Sequence, residues 1–168
     1  MNSFKELSMW NGFKKMIYRD LLNSTKNLSQ LMNPLLLFIL ISASFPFAIN
    51  MDENQLIMIG PGVIWIIAIL SFLLTLNNLY KDDMEDGSLD YILLSAQPLP
   101  ILTLAKIFAH WLLSGLPLVL LCPFVSIFYQ LSIEVSMLLS LTLLIGTLAL
   151  SLIGSIGASL TISSQNNT

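Results

Sequence analysis

Two ionisable side chains, Lys106 and His110, stand one helical turn apart inside an otherwise apolar run, with Trp111 next to the second. An ionisable group within a lipid-embedded helix costs roughly 3 kcal/mol or more, which makes it a functional candidate by default. A neutral imidazole can ligate a transition metal, and His110 is the single histidine of the chain. The competing reading is structural: Lys106 snorkels to the headgroups and His110 bonds a neighbouring helix. The structural reading is favoured, because one imidazole with no second ligand is a thin metal site.

A second group with chemical potential is acidic. Asp82, Asp83, Glu85, Asp86 and Asp90 supply five of the ten carboxylates within nine positions. Asp86-Gly87 is a strong turn signal. Ser88 can then cap a short helix through Leu89 and Tyr91 to Leu94, with Asp90 near its positive end. Pro98 and Pro100 stop that helix. Acidic at one end and apolar along one face, it suits the docking of a partner. A solvated loop whose charges keep it out of lipid is the plainer alternative.

Other chemistries lack their residues. Cys122 is the single cysteine, lies in an apolar run and reads as a small buried hydrophobe, so an internal disulfide is excluded. No GxxxxGK[ST] phosphate loop and no His/Glu metal motif occurs. Apart from Lys106 and His110 the apolar runs carry no Asp, Glu or Arg in their interiors, which argues against an ion-coupled carrier. An enzyme is not expected.

The elements that must hold these residues follow from composition. The chain has 168 residues, 55% hydrophobic and 10% charged, with mean hydropathy +0.81. A soluble domain is about a quarter charged, so too few polar residues exist here to cover a wet surface. The pI of about 4.8 and net charge of −3 do not describe an acidic soluble protein, because most of the charges fall in two segments. Nor do the seven basic residues form a stripe for nucleic acid. The expected class is all-α and polytopic, a single membrane domain over 1–168.

Within it, residues 3–27 form an amphipathic helix. Phe4, Leu7, Trp10, Phe13, Ile17 and Leu21 recur on one face, with Lys5, Lys14, Lys15 and Arg19 largely off it, as suits a helix lying in the headgroups. Four apolar spans follow at 31–49, 56–79, 101–129 and 135–162, each near or above the roughly 20 residues needed to cross a bilayer. Pro34, Pro46, Pro61, Pro117 and Pro123 mark entries, ends or kinks. Gly146, Gly154 and Gly157, with Ser151, Ser155 and Ala158, give the last span a small-residue face. Five of the seven basic residues precede the first span, Lys81 follows the second, and the other two loops have none. The positive-inside rule therefore places both termini and the 80–100 loop in the cytoplasm.

The run from Glu85 to Asp90, followed by Leu93, Leu94, Pro98 and Lys106, resembles the cytoplasmic motif of ABC-2 type permeases. More closely, the chain resembles the CcmB family, haem exporter protein B of cytochrome c maturation. The matching segments are Asn33-Pro34, Phe45-Pro46, Ile59 to Trp65, Ala105 to Trp111, Gly115 to Pro117 and Ser155 to Thr161, in order along nearly the whole chain. The resemblance implies a permease subunit of the bacterial inner membrane, driven by a separate ATPase, CcmA. It further implies work beside CcmC, CcmD and the haem chaperone CcmE, with haem as cargo and not as a resident cofactor. The energy would serve haem export or release of the haem-loaded chaperone; a passive scaffold for haem-handling proteins is the alternative. Asp82, Asp83, Glu85, Asp86, Gly87, Ser88, Leu89 and Asp90 become the ATPase-docking residues, and His110 and Trp111 haem or pathway candidates. The family has six helices. Past Thr161 this sequence has seven residues where the family continues through about two more spans, so the C-terminal part is expected to be lacking.

Overall fold

The computed structural model describes residues 12–22, 28–48, 52–76 and 98–165. All regular structure among them is helical: α1 over 12–22, α2 Leu28–Ala48, α3 Glu53–Leu76, α4 Leu99–Phe128 and α5 Ile133–Gln165. The last four hold windows of 18, 24, 29 and 26 residues that are long and apolar enough to cross a membrane. At about 1.5 Å per residue even the shortest covers about 27 Å of a roughly 30 Å hydrocarbon layer. A helix bonds its own backbone internally, which is why such runs adopt it where no water is available.

The solvent these helices expect is visible on their outer faces. Leu40, Phe47, Ile66, Leu120, Phe124, Ile145 and Ile153 are all exposed, a pattern that water would punish and lipid tails accept. Helices α3 and α4 touch each other and both remaining spans, so α2 and α5 flank a central pair. Burial follows the same order: 39% and 44% of the α3 and α4 windows are buried, against 17% and 22% for α2 and α5. Phe38, Ile64, Phe72, Leu118, Val125 and Leu143 form the centre of the core.

The helix ends are set locally. At α3, Asp52 caps: its carbonyl accepts from the Gln55 and Leu56 amides, and Gln55 Oε1 accepts from the Asp52 amide at 3.2 Å, half of a capping box. Helix α4 starts at Pro98 with Pro100 in its first turn, where a missing N–H costs nothing. Its far end closes as a Schellman turn, with the Leu131 amide donating to Ser126 O and the Gln130 amide to Ile127 O. Gln130 takes the left-handed conformation usually given to glycine, φ 54°, and Leu131 packs back on the core. Ser132 Oγ then accepts from the Val135 amide to begin α5. Four residues thus reverse the chain and fix α4 and α5 as antiparallel neighbours.

Proline is handled by a partner helix in one case. Pro46 lies inside α2 and has no N–H for the carbonyl of Ser42, four residues earlier. The hydroxyl of Tyr129, at the end of α4 and fully buried, donates to that carbonyl at 3.0 Å. Tyr129 can reach it because Gly60 of α3 lies under the ring; a Cβ there would come within 2.9 Å of Cδ1. One side chain therefore ties α2, α3 and α4 together at one end of the bundle.

The small-residue face of α5 is divided in use. Gly146 seats the Trp65 indole and Gly154 seats Leu76, both from α3, whereas a Cβ on Gly157 would meet nothing within 4 Å. Ser151, also on this helix, is fully buried.

Candidate functional site

Opposite the Tyr129 end, polar side chains from four helices gather around the first turns of α4. Lys106 and Trp111 are buried, as are Thr75 of α3 and Thr147, Ser151 and Ser155 of α5. Three polar contacts here cross from one helix to another. His110 Nε2 lies 3.1 Å from the carbonyl oxygen of Thr75 in the last described turn of α3. Trp111 Nε1 donates to Thr147 Oγ1 at 3.1 Å, and Ser151 Oγ to the Ile107 carbonyl at 3.4 Å. One layer away, Trp65 Nε1 donates to Thr142 Oγ1 at 3.2 Å. Both threonines pass their own protons to carbonyls of α5, Thr142 to Leu139 and Thr147 to Leu144. In hydrocarbon such bonds replace the hydrophobic effect as the glue between helices, each contributing about 0.6–1.7 kcal/mol.

The geometry decides how His110 can act. A carbonyl only accepts, so Nε2 carries the proton and donates it to Thr75. Nδ1 is then the basic nitrogen, and it is shut inside the bundle with no hydrogen-bond partner. A protonated nitrogen cannot ligate a metal and a sealed one cannot reach it, so in this arrangement His110 is a structural bond to α3. The Phe72 ring packs edge-on against the imidazole, centroids 5.9 Å apart. Trp111 is likewise committed, its N–H to Thr147 and its ring tilted against Phe108 at 5.6 Å.

Lys106 turns to a carboxylate of α1. The residue is 8% exposed and its Nζ lies 3.7 Å from Asp20 Oδ2 of α1. Arg19 donates from Nε and a terminal nitrogen to Asp20 Oδ1 at 3.1 and 2.9 Å. Around this pair Met16 is buried against Leu102 and Ala105, with Phe13 and Ile17 beside them. The packing of α1 on the first turns of α4 brings this carboxylate to the ammonium. Sequence reading missed Asp20, Thr75 and Thr147. Asp20 left a signal, since it falls four residues after Met16 and three after Ile17, a carboxylate on the apolar face of an amphipathic helix. The threonine partners left none, because Ser and Thr are common in such spans. Asp82, Asp83, Glu85, Asp86, Gly87, Ser88, Leu89 and Asp90 lie outside the described residues.

Comparison with known proteins covers this whole arrangement. The family described as CcmB protein matches residues 11–167. The chain belongs to the CcmB family. Its relatives include "Heme exporter protein B" of Haemophilus influenzae, 45% identical over 150 residues that cover 89% of this chain and 68% of the relative. The protein of the same name in Pseudomonas aeruginosa is 40% identical over 154 residues, 92% of this chain and 69% of the relative. That of Paracoccus denitrificans is 36% identical over 149 residues, again 89% and 68%. The CcmB match begins at residue 11, so it takes in α1 together with Asp20 as well as the four spans. Membership accords with a multi-pass membrane protein whose described residues are all helical where regular.

Proposed function

We propose that this CcmB-family chain is the membrane subunit of an ATP-driven complex of cytochrome c-type biogenesis, serving haem export or release of a haem-loaded chaperone. The observation that carries the reading is the family match over 11–167 together with four apolar helices. The sequence has no phosphate loop of its own, so ATP hydrolysis falls to a separate subunit of the CcmA kind. Other members of the assembly would be CcmC-like and CcmD-like membrane proteins and a CcmE-like haem chaperone. Haem is cargo in this scheme, and no residue of the described bundle is needed to hold it permanently.

The chain sits in the bacterial inner membrane with its N-terminus in the cytoplasm, a placement supported by five basic residues before the first span. The end of α3, the start of α4 and helix α1 share one end of the bundle, joined through Thr75, His110, Leu102 and Met16. The 80–100 segment between α3 and α4 leaves from that same end. Its acids, Asp82, Asp83, Glu85, Asp86 and Asp90, with Gly87, Ser88 and Leu89, dock the ATPase. Nucleotide-driven closure then pushes on α3 and α4, the central pair, and the stroke travels as a rigid-body shift. The Glu85→Lys, Asp86→Lys double variant tests this. Recovery of the ATPase subunit with the tagged complex is expected to fall about tenfold, the effect of like-charge juxtaposition at an interface. Recovery at the unmodified level would remove the docking role.

A further inference from the structure

Helix α1 has little apolar hold on the bundle. Among its described residues Met16 alone is buried, while Tyr18 and Leu22 are 65% and 49% exposed. What it does have is charge placed at depth. The side chains of Lys106 and Asp20 retain 10% and 12% of their exposure at a separation of 3.7 Å. Arg19 grips the second oxygen of the same carboxylate from within α1. The carboxylate is thereby oriented by its own helix and presented to the next.

We propose that Asp20 and Lys106 are a positioning pair that latches α1 to the first turns of α4, so that the two helices shift as one body. Screening by solvent and salt is weak at this burial, so the pair is stronger than a surface ion pair. Leu102 lies one turn before Lys106, and Met16 one turn before Asp20, so the ionic and apolar contacts run side by side along both helices. The latch also sets what moves with what. His110, one turn further along α4, ties the same helix to the end of α3. Helix α4 is therefore the common member to which α1 and α3 are both pinned at this end. Its use in carrying a stroke from the ATPase rests on the docking reading above; the latch itself does not.

Charge reversal in the assembled complex in native membranes tests it. Phe13→Cys and Leu102→Cys, in a Cys122→Ser background, place a thiol on each helix within the contact, and a short bis-maleimide reports their proximity. Yield is normalised to the amount of chain in the membrane. Asp20→Lys alone and Lys106→Asp alone are expected to lower the yield roughly tenfold, and the reversed pair Asp20→Lys with Lys106→Asp to restore it to within about twofold. Parental yield in the single variants overturns the latch, as does a loss that the reversed pair does not repair. Where a single variant does not accumulate, the reversed pair against the parent decides alone. The cross-link is read without nucleotide, so its outcome is separate from ATPase recovery with the Glu85→Lys, Asp86→Lys variant.

Discussion

At the scale of single residues, the two groups that sequence marks as expensive in lipid are both accounted for by partners on other helices. Lys106 has Asp20, and His110 has the Thr75 carbonyl. This fixes the expectation for His110→Ala. Haem recovered with the purified complex should equal that of the unmodified one, because neither imidazole nitrogen is offered to a ligand. Stability should fall by about 1 kcal/mol, the size of one interhelical hydrogen bond in a membrane, seen as an earlier loss of the detergent-solubilised complex on heating. A drop in haem with unchanged stability would reverse the assignment and make His110 a ligand. Ionisable positions in a span were legible in the sequence as special; what satisfies them was not, because a backbone carbonyl leaves no mark in residue type.

Between helices, tryptophan and glycine work as matched parts. The Trp65 indole lies on Gly146 and donates to Thr142, four residues before that glycine on the same helix α5. Gly146→Leu would drive side-chain atoms into the indole, break the bond to Thr142 and pry α5 from α3. Overpacking of this kind costs about 1–3 kcal/mol. Gly157→Leu serves as the control, since the space around that position is open. Heating in mild detergent should separate the two, with the Gly146 variant lost first and the Gly157 variant close to the parent; equal behaviour would mean that the Trp65 seat carries no packing energy. The small-residue character of α5 could be read from sequence, and so could the four apolar spans, since length and hydropathy alone decide both. Which glycine is a seat could not, because that depends on which α3 side chain faces it. The proline positions were equally visible, while the rescue of the Pro46 gap by Tyr129 required the fold.

For the whole molecule, the two ends of the bundle are pinned by different means. Tyr129, the Schellman turn at Gln130 and Gly60 hold α2, α3, α4 and the start of α5 at one end. Charge and hydrogen bonds hold α1, α3, α4 and α5 at the other. The latter end is the one from which the acidic 80–100 segment must emerge, because α3 finishes and α4 begins there. Helix α1 docks at that same end, against the first turns of α4. In the proposed topology that end faces the cytoplasm, a placement that the basic count before the first span supports. A cysteine placed at Gly87, in a Cys122→Ser background, should resist a membrane-impermeant maleimide in intact cells whose outer membrane alone has been opened. It should react once the inner membrane is disrupted. A cysteine at Ser132, in the tight turn between α4 and α5, should show the reverse order and react first. Labelling of Gly87→Cys from the periplasm would invert the topology and separate the acidic segment from any cytoplasmic ATPase. The contacts within the bundle would be untouched by that result, since none of them depends on which face is wet by which compartment.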